Sequence, residues 1–425
     1  MTDFNADTDV RSLLRQMFDV AVATADPIQC IPAHLPPPPE GRTIVVGAGK
    51  AGVRMAGAVE ANWPSPLEGL MIVPYGYKSN DGRIEIVEAS HPVPDEAGNR
   101  AAKRILDLVS SAGPEDIVLC LISGGGSALM SLPAEGLTAD EKASLNSALL
   151  RCGANISEMN RVRKHLSAIK GGRLAAAAAP APMVSLLISD VPGDDPAVIA
   201  SGPTVADPTT CEDAARILEK YAIGEPVAAI DLLKSGQTET LKPGAECFDA
   251  HSVKIVATPK MALEAAADLA RTGGIEPVIL GDAIEGEARD VAKNMAEIAT
   301  ELRRTGKPVR APAVLLSGGE TTVTVTGNGR GGRNCEFLLA LALALNGAQG
   351  IYALAADTDG IDGIETNAGA FITPDSLVRA SNNGMDANAF LADNDSFSFF
   401  DQLEDLVVTG PTHTNVNDFR AILVV

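Results

Sequence analysis

Residues 43–52 read TIVVGAGKAG, and the run AGVRMAGAVE carries on from Ala51 to Glu60 with helical spacing. An apolar strand, a glycine turn and a helix in that order make one βα unit. The turn Gly47-Ala48-Gly49-Lys50-Ala51-Gly52 matches GxGxxG in the context that gives the pattern meaning. There, a tight turn and bare backbone bring amide groups at a helix N-terminus up to a phosphate. The same glycines also serve a turn that needs them only for packing, and both readings stand at this point. A nicotinamide site further wants an acidic residue closing the next strand. Here the stretch Leu70 to Tyr77 is followed by Lys78, with Asp81 several residues late, which counts against NAD. The Walker A pattern is absent, because no Ser or Thr follows Lys50. Lys50 instead places a positive charge in the loop.

Working outward, the same grammar recurs. Ile117 to Ile122 precedes SGGGS, Val184 to Ile188 precedes SDVPGDD, Ala313 to Leu316 precedes SGGE, and Ile351 to Ala355 precedes ADTDGIDG. Continuous apolar runs, rather than alternating ones, mark strands covered on both faces, so the expected class is doubly wound α/β with mainly parallel sheets flanked by helices. A helix over Asp9 to Ala23 and a stiff connector at Pro36 to Pro39 precede the first unit. The alanine run 175–179 reads as a close-packed helix. The stretch from Ser235 to Ala250 is polar and weakly patterned, and a fresh strand follows at Val253 to Ala257. That predicts an N-terminal α/β domain over 1–240 and a C-terminal α/β domain over 251–425.

The length of 425 residues allows two to three domains. With 46% hydrophobic and 21% charged residues and a mean hydropathy of +0.11, the composition is that of a globular chain. A net charge of −21 disfavours nucleic acid and anionic membranes as partners. An anionic ligand then needs a local reversal of charge. The six cysteines form no CxxC pair, the N-terminus lacks a leader pattern, and no apolar stretch is long enough for a bilayer, so the expected location is cytoplasmic.

Several loops carry chemistry. In Ser123-Gly124-Gly125-Gly126-Ser127 three glycines let successive amides converge on an anion, with hydroxyls at the rim. MNRVRKHLSAIKGGRLA sets six basic residues within thirteen positions, Arg161 to Arg173, and there Arg163 and Lys164 are the expected anion contacts. Asp190, in SDVPGDD, lies at the carboxyl end of a buried strand, where carboxylates bind Mg²⁺ or accept protons. TTVTVT alternates as a strand, Arg330 lies in the following glycine loop, and Asn334 is a fair N-cap for a leucine-striped helix ending at Asn346-Gly347. Arg333 then stands at a helix N-terminus, where dipole and guanidinium both favour an anion. Asp357, Asp359 and Asp362 share a glycine loop and point to a hard cation or a general base.

The strings GAGKAG, HPVPDEAG, SGGGSALM, MNRVRKHLSAIKGGRLA, SDVPGDDPAVIASGPTVADPTT, SGGETTVTV, GRGGRN, DTDGIDG and GPTHTNVNDF, running from about Ile44 to the C-terminus, together resemble class II glycerate 2-kinase with its MOFRL C-terminal domain. This family is also labelled hydroxypyruvate reductase. Two positions depart from its pattern, Cys335 for an expected Gln and His413 for an expected Gly. The resemblance implies ATP-dependent phosphorylation of D-glycerate at its C2 hydroxyl to 2-phosphoglycerate, with Mg²⁺, in a cleft between two α/β domains. It implies that Lys50 and Arg333 bind substrate and the transferring phosphate. Asp190 and Asp359 are assigned to metal or base. Gly47, Gly49, Ser123, Gly124, Gly125, Gly126, Ser127, Arg163, Lys164, Glu320, Arg330, Asn334 and Asn415 are assigned to substrate and nucleotide. The expected partners are small molecules, D-glycerate and ATP, with no nucleic acid and no membrane, and a homodimer as the assembly to test. A nicotinamide-dependent hydroxypyruvate reductase is the alternative reaction. A sugar-phosphate sensor without catalysis is a third reading.

Overall fold

The computed structural model describes residues 7–77 and 82–425. Lys78 and Asp81, weighed above for a nicotinamide site, lie outside them. The chain divides into two compact units, one over Pro27–Val256 and the other formed by the segment through Asp26 together with Ala257–Val425.

The first unit is built on strands β1 (Thr43–Ala48), β2 (Leu67–Pro74), β3 (Glu85–Ala89), β4 (Ile117–Ile122), β5 (Met183–Ile188) and β6 (His251–Ala257), in the order β3-β2-β1-β4-β5-β6. All pairings from β3 through β5 are parallel. β1, β4 and β5 are buried at every position, which is why their sequences run apolar without alternation. Helices Gly52–Asn62 and Glu96–Ser110 connect the strands, and Arg173–Ala178 holds the alanine run in a short, close-packed helix. Register places Ala48 beside Ile122, and Ile122 beside Leu187, so the loops after β1, β4 and β5 leave the sheet at one edge.

The second unit contains β7 (Glu276–Gly281), β8 (Gly286–Glu287), β9 (Ala313–Ser317), β10 (Thr321–Thr322), β11 (Ile351–Asp357), β12 (Gly369–Ile372), β13 (Leu406–Val407) and β14 (Asp418–Val424). Its main sheet has the order β13-β12-β11-β14-β9-β7. Here the expectation of a mainly parallel sheet is corrected. Only β7 and β9 pair in parallel, and the other four pairings are antiparallel. The C-terminal strand β14 makes two of these by inserting between β11 and β9, antiparallel to both, and β12 makes the other two with β11 and β13. Helices Ala288–Thr305 and Arg333–Leu345 supply much of this unit's apolar core, with Phe337, Phe399 and Phe400 among its largest buried side chains. TTVTVT forms a strand only over Thr321–Thr322.

The domain boundaries also differ from a division at 240 and 251. β6 closes the first sheet beside β5 and opens no new one. The polar stretch before it is tied down: Leu241 N–H donates to Gly171 O and Asp207 N–H to Leu241 O. The first helix, Asp7–Thr24, belongs with the C-terminal strands. Phe18 meets Phe419 at 5.9 Å between ring centroids, Arg11 pairs with Asp405 at 2.6 Å, and Thr414 Oγ1 donates to Ala25 O at 2.6 Å. A contact so distant in sequence leaves no local mark. Among the described residues, no helix is long and apolar enough to cross a membrane.

Candidate active site

The GxGxxG turn is locked against the loop after β4. Lys50 N–H donates to Gly124 O at 2.9 Å, Ala51 N–H to Ser123 Oγ at 3.0 Å, Gly49 N–H to Ile72 O at 3.0 Å and Gly52 N–H to Gly49 O at 3.0 Å. A Cβ on Gly47 would sit 1.8 Å from Leu121 O, and one on Gly49 2.1 Å from Ser123 Oγ. Close packing of two strand-loop junctions therefore explains Gly47 and Gly49. The four amides that would meet a dinucleotide pyrophosphate already have acceptors inside the unit. Lys50 itself is half-buried at the start of the helix.

The charge reversal sought in the sequence lies one loop further on. A cavity of about 160 Å³ is lined by Ser127, Lys142, Asn146, Arg163 and Lys170, with His91 and Gly125 at its side. Gly125 takes φ 82 to begin the turn Gly126–Leu129, and a Cβ there would press on the His91 ring at 3.0 Å. Lys170 Nζ donates to Ser127 O at 2.6 Å and to Ser127 Oγ at 2.7 Å; Lys142 Nζ donates to Leu132 O at 3.2 Å, and Arg163 Nε to Asn146 Oδ1 at 3.1 Å. All these acceptors are neutral. Among the described residues, no salt bridge joins any of the three cations to a carboxylate. Burial, with Arg163 beside it, pushes the Lys142 amine down to about 7, and burial together with Lys142 and Arg163 holds Lys170 well below the ordinary lysine range. Three basic groups withdrawn from water without counter-charge disfavour their charged forms, and an anion placed among them restores those forms.

Backbone strain marks the same place. Ser127 Oγ lies 3.0 Å from Ser201 Oγ, and Ser201 donates to Asn160 Oδ1 at 3.2 Å. Ala200 and Ser201 both hold positive φ, 50 and 62, at about 1–3 kcal/mol per such residue.

Of the six basic residues between Arg161 and Arg173, only Arg163 and Lys170 reach this cavity. Lys164 is corrected as an anion contact. It is buried and faces Asp207 at 3.6 Å. His165 donates from Nδ1 to Arg161 O at 2.7 Å and turns Nε2 to Glu239 at 3.0 Å, while Arg173 donates to Lys164 O and Lys170 O. These three knit the basic segment to Asp207 and residues 238–240. Lys142, Asn146 and His91 were missed. Lys142 sits in a helix, Ala139–Arg151, whose capping box and charges read as an ordinary surface helix.

In the second unit the centre is Arg333. Its Nε donates to Asp418 at 2.8 Å, Nη2 to Asp357 at 2.7 Å and Nη1 to Glu320 at 2.6 Å. Asp357 and Asp418 stand directly opposite each other on antiparallel β11 and β14, where like charges repel, and the guanidinium bridges them. Arg420, fully buried, donates to the other Asp418 oxygen at 2.6 Å. Burial and neighbouring Asp359 push the Asp357 carboxyl well above its ordinary range, while Arg333 holds it down. Three carboxylates, Asp357, Asp418 and Glu320, thus surround two guanidiniums, with Asp359 beside Asp357. Asp357 and Asp359 are neighbouring carboxylates whose repulsion a hard divalent cation would relieve, although among the described residues no three of these carboxylates converge on one point, and Asp357 and Asp418 already hold Arg333. Asp190, half-buried two residues past β5, belongs to the first unit.

Several assigned residues have structural work here. Asp362, wholly buried, accepts from Asn334 N and Cys335 N at 2.9 Å each, so the anion at the N-terminus of helix Arg333–Leu345 is the protein's own carboxylate. Asn334 lies inside that helix, and Gly332 is its N-cap. Arg330 pairs with Glu365 and lies over the Phe397 ring at 4.5 Å. The glycines around it are explained by close approach, since a Cβ on Gly327 would lie 2.1 Å from Asp393 O and one on Gly332 2.2 Å from Asp362. Asn415 is buried and accepts from Asn417 N at 3.1 Å. Cys335 is buried beside Asp362 and Asn367, and His413 holds φ 58, the left-handed geometry that its expected glycine suits.

Residues 13–234 match a family described as a domain of unknown function (DUF4147), and residues 313–418 match the MOFRL family. The chain is 38% identical over 420 residues to the D-glycerate 2-kinase of Thermotoga maritima, covering 98% of this chain and 99% of that protein. It is 56% identical over 421 residues to a protein of Agrobacterium vitis named provisionally as a hydroxypyruvate reductase, covering 98% and 95%. The crystal structure of a glycerate kinase from Thermotoga maritima superposes with a TM-score of 0.90 at 37% identity, over 98% of this chain and all of the other.

Proposed function

The chain belongs to the glycerate kinase family that joins a DUF4147 domain to a MOFRL domain, and from that premise we propose that it transfers the γ-phosphoryl group of ATP to the C2 hydroxyl of D-glycerate. The products are 2-phosphoglycerate and ADP. The observation that carries this reading is the cavity of Lys142, Arg163 and Lys170, three cations with neutral partners beside the loop after β4. Phosphoryl transfer needs charge neutralisation and positioning more than covalent chemistry, and this set supplies neutralisation for a small oxyanion.

Lys50, at the head of its helix, is assigned to the transferring phosphate. Arg333 is assigned an anionic ligand through Nη1, since that arm's partner, Glu320, is exposed while Asp357 and Asp418 are buried. Asp357 and Asp359 would hold Mg²⁺, which when bound neutralises nucleotide phosphate charge. Asp190 is assigned to orient or deprotonate the C2 hydroxyl. The reductase alternative relies on the GxGxxG amides, and those donate to Ile72, Gly124, Ser123 and Gly49.

Purified protein given D-glycerate, ATP and Mg²⁺ is expected to release ADP only when glycerate is present. Oxidation of NADH or NADPH by hydroxypyruvate, with no glycerate-dependent ADP, overturns the proposal.

A further inference from the structure

We propose that the Lys142–Arg163–Lys170 cavity is the seat of the phosphorylated three-carbon acid, and that it holds product more tightly than substrate. The inference rests on the kinase reading and names the ligand of that same site. Size comes first. At about 160 Å³ the basic end of the cavity has room for a small oxyanion, and past Lys142 and Asn146 it adjoins a hollow lined by Asp95, Glu96 and Asp140, whose carboxylates disfavour further negative charge.

Charge decides between the two acids. D-glycerate brings one negative charge to three basic groups that an anion would hold in their charged forms. Its phosphorylated form adds a phosphate of about −1.5 to −2 at neutral pH, close to a full match. The donors also suit a phosphoryl group. Arg163 offers a planar fork, and the two ammoniums act as point charges that now rest on neutral oxygens.

Filling the cavity also moves a proton. The groups facing Lys142 are Arg163 and Lys170 within the cavity, His91 from the loop after β3, and Asp95, Glu96 and Asp140 in the adjoining hollow. Asp95 is turned to Gly98 N and Tyr75 Oη. With cations nearest, the amine is pushed down to about 7, and Lys170 is likewise held well below its ordinary range, so above about pH 7 the empty site is short of charge. An arriving anion favours the ammonium. Binding therefore takes up a proton above about pH 7, and affinity falls as pH rises.

Calorimetry on the full chain at about pH 8, in two buffers of different ionisation enthalpy, tests this with 2-phosphoglycerate, D-glycerate and inorganic phosphate as titrants. 2-Phosphoglycerate is expected to bind at least about tenfold tighter than D-glycerate, with an enthalpy that depends on the buffer in the sense of proton uptake. Lys142→Met should weaken it about tenfold or more. Lys142→Arg should keep the affinity and reduce the buffer dependence to the share that Lys170 supplies, because a guanidinium stays charged. Equal affinity for the two acids, binding of D-glycerate but not phosphate, or buffer-independent enthalpy in the wild type each overturns the proposal. Should Lys142→Met fail to fold, the wild-type buffer comparison and Lys142→Arg decide. A protein that binds 2-phosphoglycerate with proton uptake yet makes no ADP overturns the kinase reading alone. One that makes ADP while Lys142→Met binds product like wild type overturns this inference alone.

Discussion

Replacing Arg333 by alanine should destabilise the second unit as well as stop turnover, and the size of that effect follows from its three partners. Glu320 is exposed, so its pair contributes about 0–1 kcal/mol. Asp357 and Asp418 are buried, and removing one member of a buried pair costs about 3–5 kcal/mol because the remaining charge is stranded. Asp418 keeps Arg420 at 2.6 Å and Asn334 Nδ2 at 2.8 Å, which places the loss near the lower end, about 3 kcal/mol. Asp357 loses its only salt bridge among the described residues and keeps only the more distant field of Arg420. Its folded-state pKa, already raised by burial and Asp359, rises further. A carboxyl whose pKa is raised in the folded state stabilises the fold while protonated and loses that contribution as pH climbs from about 4 through the raised value. The deficit of Arg333→Ala should therefore be small near pH 5 and full near pH 8. Native-state hydrogen exchange on peptides from β11 and β14 reads this unit by itself, which whole-chain unfolding of two units does not. About 3 kcal/mol corresponds to exchange accelerated on the order of 100-fold. Exchange within twofold of wild type at pH 8, or a deficit independent of pH, refutes the reasoning.

Lys50→Ala should lower kcat by about 100- to 1,000-fold while exchange in β1 and β4 stays near wild type, since a half-buried lysine at a helix start adds little to packing; normal turnover removes it from the transferring phosphate. Gly49→Ala should destabilise the first unit by about 3 kcal/mol or more, because its Cβ would fall 2.1 Å from Ser123 Oγ at φ 144, and a stability loss under about 1 kcal/mol contradicts the locked turn. Asp362→Ala leaves two buried amides without acceptors and should cost about 2–4 kcal/mol, read as faster exchange in Arg333–Leu345, with Asp362→Asn losing less. Activity lost in Asp359→Asn should return in part with Mn²⁺ or excess Mg²⁺, whereas loss of Asp190 should cost about 10²- to 10⁴-fold at every metal concentration; the opposite pattern exchanges their roles.

The α/β class, the buried parallel strands β1, β4 and β5 and the glycine turns that follow them were legible in the sequence, because each expresses a local rule. A strand covered on both faces must be apolar throughout, and a chain that reverses within a few residues must have glycine where a Cβ would collide. The family was legible too, from motifs that keep their order over most of the chain. The basic stretch stood out as a local reversal of charge, yet its six charges could not be sorted by spacing alone. Only the fold sends Lys164, His165 and Arg173 inward to Asp207 and residues 238–240 and leaves Arg163 and Lys170 to meet Lys142. Arg333 stood out by its place beside the glycine loop, but the carboxylates around it, Asp357, Asp418 and Glu320, come from three separate stretches of chain. Tertiary structure likewise decided that β14 enters its sheet antiparallel and that the first helix joins the last strands. The physical reason is the same in each case. Periodicity and turn chemistry act over a few residues and are written in the chain, whereas charge pairing and strand insertion depend on which distant residues the packed core brings within a few ångströms.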